Sequence, residues 1–180
     1  MPENLDFITP TLMTVFGLFL DDPMLEHHER EVIRETRVSK GSANAILRKL
    51  AHLELLTRER KGRMVFYRLN ISNPVVKQFK VLVNVSALHE LLNHLKPNSR
   101  RIVLFGSCAQ GTNVRESDTD LYILSSEKGI IKKIINDFNQ KHVNKISPIV
   151  VDANELIRLK KDDRPLYENI ERGIILWEAG

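Results

Sequence analysis

The chain has 180 residues, 42% of them hydrophobic and 28% charged, with a net charge of +4 and one cysteine. That balance excludes a disordered or collagen-like polymer, and a lone cysteine excludes a disulfide framework. No apolar run approaches the ~20 residues that span a bilayer. Two acids and no base precede Leu12, unlike a secretory leader. The expectation is a cytoplasmic protein with no membrane partner.

Charge is unevenly spread. Residues 1–36 carry eight acids against two bases, net −6, whereas residues 37–69 carry nine bases against two acids, net +7. A block of one sign in a short segment fits a polyanion-binding face. A solvated helix followed by a basic hairpin accounts for the same charges.

Thr9-Pro10 is a helix start, with Thr as N-cap and Pro in the first turn. Leu12, Met13, Val15, Phe16, Phe19 and Leu20 form its buried face, and Asp21-Asp22-Pro23 ends it. A short second helix is expected over His27–Glu35, with Val32 and Ile33 inward and His27-His28 exposed. After the tight connection Thr36-Arg37-Val38, Ser39 caps a third helix running to about Glu54. Its apolar stripe is Ala43, Ile46, Leu47, Leu50 and Leu53. Lys40, Ser42, Asn44, Arg48, Lys49 and His52 lie on the other side. Two strand-like runs, Leu55–Arg60 and Met64–Leu69, then flank the turn Lys61-Gly62-Arg63.

Helix, short turn, capped basic helix and basic hairpin together resemble the winged helix-turn-helix domains of bacterial and archaeal transcription regulators. The resemblance implies binding to double-stranded DNA. Ser42, Asn44 and Arg48 would reach base edges in a major groove. Ser39, Lys40, Arg60, Lys61 and Arg63 would hold phosphates. A protein-docking role for the same module is the other reading.

Asn73-Pro74 opens a connector helix that ends at Lys96–Ser99. Its apolar positions are Val75, Phe79, Leu82, Val83, Leu88, Leu91, Leu92 and Leu95. They either pack on the chain's own domains or form a homodimer, as a reader of two half-sites would. The expected domains are therefore a winged helix over 1–72, a connector over 73–99, and a third region over 100–180.

That region begins with Ile102-Val103-Leu104-Phe105, a continuously apolar run of the kind found in a buried strand. It ends in Gly106-Ser107, and after ten intervening residues comes Asp118-Thr119-Asp120-Leu121 ahead of more apolar residues. Asp118–Leu124 is read as a strand on which the two aspartates alternate, so both point to one face. Gly106-Ser107, the spacing and Asp118-x-Asp120 look like the signature of the DNA polymerase beta-type nucleotidyltransferase superfamily. The fuller string, with Ala109, Gly111 and Ser117, is similar to the minimal nucleotidyltransferases.

The resemblance implies a two-metal Mg²⁺ site on Asp118 and Asp120, a nucleoside triphosphate as substrate, and nucleotide contacts at Gly106 and Ser107. It also implies transfer to an acceptor, which in related minimal transferases is a partner toxin. The superfamily's third carboxylate, on a neighbouring strand, has no match. Lys145–Val151 holds Ser147 or Pro148 at that place, and Asp152 stands only at the strand's end. Helices over 154–161 and 164–173 and a strand over 174–177 complete a mixed sheet flanked by helices.

The fold class expected is α+β to α/β. Three functional readings stay open: a DNA-binding nucleotidyltransferase, a transcription regulator whose transferase-like domain is catalytically degenerate and serves as sensor or dimerisation body, and a pair of protein-interaction modules. Cys108 is read as a small buried residue. The six histidines show no metal-ligand spacing.

Overall fold

The computed structural model describes residues 7–179, so Glu3 and Asp6 of the acidic segment lie outside the described residues. The chain divides into two compact units between Phe79 and Lys80.

The first unit holds α1 (Pro10–Asp21), β1 (His27–His28), α2 (Glu29–Thr36), α3 (Lys40–His52), β2 (Leu56–Lys61) and β3 (Met64–Leu69). Thr9 caps α1 through its hydroxyl, with Pro10 at the first helical position, and Ser39 caps α3 by accepting from the Ser42 amide. Arg37, in left-handed backbone at φ 57°, closes α2. The three helices enclose Val15, Phe16, Phe19, Val32, Leu47 and Leu50, all fully buried. Each such apolar side chain contributes ~1.5–3 kcal/mol relative to exposure.

Two expectations need correction here. His27-His28 is not an exposed helix start. The pair forms a short strand against β3, with His27 opposite Tyr67 and His28 opposite Phe66, so the sheet order is β1-β3-β2. Strand alternation turns His27 to the core, where it is buried and meets Phe19 edge-on at 5.3 Å between ring centroids. His28 caps α2 instead. The connector is likewise not one helix: α4 (Pro74–Ala87) stops before α5 (His89–Leu95), and a 3₁₀ turn over Lys96–Asn98 follows. At the break the Leu88 amide bonds back three residues, to Val85 O. The Leu88 side chain enters the second unit's core with Leu91, Leu92 and Leu95. Val75, Leu82 and Val83 stay exposed.

The second unit carries β4 (Arg101–Phe105), α6 (Gly106–Gln110), β5 (Thr119–Leu124), α7 (Lys128–Lys141), β6 (Ile146–Val151), α8 (Ala153–Asp162), α9 (Arg164–Glu171) and β7 (Ile174–Glu178). Its mixed sheet runs β6-β5-β4-β7, with β5 and β6 parallel and the other pairs antiparallel. Alternation along β4 and β5 sends Ile102, Leu104, Leu121 and Ile123 to a core with α5 and α7. Val103, Phe105 and Tyr122 go to the opposite face, against Ile170 and Leu159. Both faces are covered, which explains the unbroken apolar runs. Pro148 sits in the edge strand β6, where a missing N–H costs no ladder bond. Gly173 lies so close to the Leu104 and Ile170 carbonyls that a Cβ would collide with them.

Burial holds the His27 imidazole below its ordinary value of 6.5, against the opposing pull of Glu31, Asp22 and Glu35; His28 adds to the lowering. Below that pH the unfolded chain binds a proton that the folded chain resists, so stability present at neutral pH is lost as pH falls through 6.5. Amide protection factors in α1 and α3, corrected for the intrinsic pH dependence of exchange, should therefore fall between pH 7 and pH 5. The fall should shrink in His27→Gln. An equal fall in that variant would rule out His27 as its source.

Candidate functional site

In the second unit the chain leaves β4 at Phe105 and turns at once into α6. Phe105 faces Asp120 in the antiparallel register, so residue 106 falls beside the aspartate. Gly106 takes φ +69°, a left-handed conformation that strains other residues. A Cβ there would also collide with Asp120 Oδ2. Glycine is thus required twice, by backbone and by space. Ser107 follows, half-buried in the first turn of α6.

Asp120 lies within β5 and is half-buried, but Asp118 is exposed and precedes the strand, which begins at Thr119. Alternation along a strand is therefore not what brings the two together. The Asp118 carbonyl accepts from the Cys108 thiol, 3.7 Å away, and the Thr119 amide starts the ladder by bonding Lys145 O. Neither carboxylate takes a hydrogen bond or ion pair from a described residue. Burial first, and the Asp118 charge second, hold the Asp120 carboxyl above its ordinary range. One half-buried and one exposed carboxylate, beside a bare glycine backbone, could hold a hard divalent cation that keeps water or phosphate oxygens in its remaining positions.

The third carboxylate is absent from the matching strand. Ser147 stands opposite Asp120 in the parallel register, and Pro148 opposite Leu121. Asp152 lies five residues further along, about 16 Å at strand rise. It is committed to capping α8, accepting from the Asn154 and Glu155 amides, and it pairs with Lys128 at 3.5 Å. Among the described residues no group of three or more His, Cys, Asp or Glu side chains is placed to hold a metal ion. Cys108 is buried, and burial pushes its thiol up, away from nucleophilic use.

In the first unit Lys40, Ser42 and Arg48 are exposed on α3, while Asn44 is half-buried. Ser39 Oγ serves as the cap and meets Ser42 Oγ at 3.0 Å. On the hairpin, Arg60 Nε donates to Gly62 O and Arg63 is exposed. Lys61 is engaged: its ammonium donates to Glu26 at 2.5 Å and lies 3.6 Å from Glu59. Its charge is already balanced locally.

Three polar residues escape the sequence reading. Arg30, counted only within the acidic segment, lines a groove of about 530 Å³ with Lys40 and Arg63. Lys80 and Asn84 on α4 reach the loop behind the glycine turn. Lys80 falls four residues after the core residue Val76, and a cation on an apolar helical stripe is the signal that marks it.

A raised folded pKa means that ionised Asp120 opposes folding at neutral pH. As pH falls through the folded value, the folded chain takes up the proton first and the penalty disappears. Asp120→Asn should raise the thermal midpoint of the second unit at pH 7, and the gain should vanish near pH 3, where the wild-type carboxyl is protonated. A gain that persists at pH 3 would locate its cause elsewhere.

Residues 87–179 match the family model for polymerase beta nucleotidyltransferases. No curated protein matches the chain. Among solved structures, a nucleotidyltransferase from Sulfolobus solfataricus is 17% identical, covering 57% of this chain and 87% of that one at a TM-score of 0.38. A toxin–antitoxin complex with AMP-PNP is 24% identical over 53% of this chain and 74% of that one, at 0.38. TrmBL2, an archaeal chromatin protein that binds DNA, is 16% identical over 91% of this chain and 71% of that one, at 0.33.

Proposed function

This chain belongs to the polymerase beta nucleotidyltransferase family, and we propose that its second unit binds a magnesium–nucleoside triphosphate while its first unit binds duplex DNA as a winged helix-turn-helix. The observation that carries the nucleotide half is the Asp120 carboxylate pressed against Gly106, with Asp118 close enough to raise its pKa. Asp118 and Asp120 would hold the cation. Bound there, magnesium would bridge the two acids and the phosphates and offset part of their combined negative charge. Gly106 leaves room for an anion at the turn, and Ser107 offers a hydroxyl donor. A cation at this place also removes the repulsion that the two acids otherwise carry.

Nucleotidyl transfer to an acceptor, a partner protein such as a toxin among the candidates, requires that the attacking hydroxyl lose its proton as pyrophosphate departs. Ser147 stands where the resemblance expects a carboxylate to assist, and a serine hydroxyl is no base at neutral pH. That register favours a second reading: a transcription regulator whose transferase-like domain senses a nucleotide without transferring it. On either reading Lys40, Ser42, Asn44, Arg48, Arg60 and Arg63 face the duplex, with Arg30 added. Lys61 contributes less, because Glu26 holds it. A homodimer would pack through the exposed Val75, Leu82 and Val83.

Titration calorimetry with Mg-ATP tests the nucleotide half. Wild type should bind, and Asp118→Asn and Asp120→Asn should each lose at least tenfold in affinity. No heat with any of the four triphosphates would reject it. Incubation with α-labelled triphosphate then separates the two readings: label appearing on the chain or on a co-purified protein supports transfer, and its absence from a chain that binds Mg-ATP supports sensing.

The DNA half predicts fluorescence-anisotropy binding whose affinity falls steeply with salt. Arg48→Glu and Arg63→Glu should each weaken binding by roughly tenfold or more, whereas Lys61→Glu should do less. Equal binding by all three variants would exclude this surface.

A further inference from the structure

The loop between α6 and β5 lies outside the strand ladder, yet it delivers Asp118 to the site. Besides its own turn contacts, two side chains from α4 brace it. Asn84 Nδ2 donates to the Cys108 carbonyl at 2.9 Å and to Asn113 Oδ1 at 3.0 Å. The Lys80 ammonium donates to the Asn113 carbonyl. Cys108, whose carbonyl Asn84 grips, in turn offers its thiol to the Asp118 carbonyl at 3.7 Å and lies 3.8 Å from Thr119 Oγ1. One chain of contacts therefore runs from α4, through Cys108 of α6, to the backbone of Asp118, with a branch from α4 to the loop at Asn113.

Lys80 makes this arrangement costly. It is 5% exposed, and lysine is almost never so buried without a charged partner. Here its one described hydrogen bond is to a neutral carbonyl, and no described carboxylate pairs with it. Burial accordingly pushes its ammonium below the ordinary lysine range. An apolar side chain at this place would avoid the desolvation cost, so packing alone does not account for a lysine here.

We propose that Lys80 and Asn84 are positioning residues, which fix the loop 111–117 and thereby place Asp118 beside Asp120 and the Gly106 turn for metal-dependent nucleotide binding. The inference rests on the nucleotide-binding reading above. It concerns orientation of a ligand carboxylate and not contact with the nucleotide.

The test compares Mg-ATP affinity with ATP affinity in EDTA for the full-length wild type, Lys80→Met and Asn84→Ala. A misplaced Asp118 weakens the metal-dependent component specifically, so the ratio of the two affinities should fall about tenfold in each variant, while ATP affinity in EDTA stays within twofold. A side chain that served only packing would lower the thermal midpoint and leave the ratio unchanged below it. Wild-type ratios in both folded variants would overturn this inference alone. A wild type that shows no metal-dependent binding would overturn the nucleotide-binding reading and this inference with it. Should Lys80→Met fail to fold, Asn84→Ala, which removes two neutral hydrogen bonds and no charge, decides the outcome by the same ratio.

Discussion

The candidate site depends on one close approach: the Asp120 carboxylate occupies the space that a side chain at position 106 would need. The antiparallel register that sets Phe105 against Asp120 makes this contact unavoidable. Glycine is the residue that permits it, and the positive φ of Gly106 starts α6 at the same point. Strand pairing, turn geometry and acid placement are thus one constraint. A half-buried acid facing another acid costs stability at neutral pH, and such a cost is characteristic of sites retained for function.

The sheet around this contact is built to be rigid. Both faces of β4 and β5 are buried under helices, so neither strand can slip by one residue without exchanging its two cores. That rigidity fixes Asp120. Asp118 stands outside the ladder and owes its place to side chains from α4 and α6. The two acids are therefore held by different means, one by backbone pairing and one by a polar network.

In the first unit the balance of charge is redistributed in the same local way. The acidic segment and the basic segment that follows are not independent surfaces. Glu26 pairs with Lys61, which removes one cation from the outward face of the hairpin. Arg30, carried by the acidic segment, joins Lys40 and Arg63 along one groove. Counting charges along the chain locates a basic region but cannot say which of its members are already paired.

Much of this was legible in the amino-acid order, because the signals are local. Thr9, Ser39 and Pro10 mark helix starts through their own backbone geometry. The period of α3 follows from Ala43, Leu47 and Leu50, and unbroken apolar runs announce the buried strands. Gly106-Ser107 and Asp118-x-Asp120 are recognisable as a spacing, and the lack of an acid at Ser147 can be read directly. Contacts between distant segments were decided only by the folded chain. His27 is buried because β3 pairs with it from forty residues away. The helix after Pro74 breaks at Leu88 because the second core claims that side chain. Lys80 and Asn84 meet the signature loop more than twenty residues downstream. Hydrophobic period and capping are properties of neighbours in sequence, whereas pairing, burial of a charge and the aim of a carboxylate depend on which surfaces the whole core brings together.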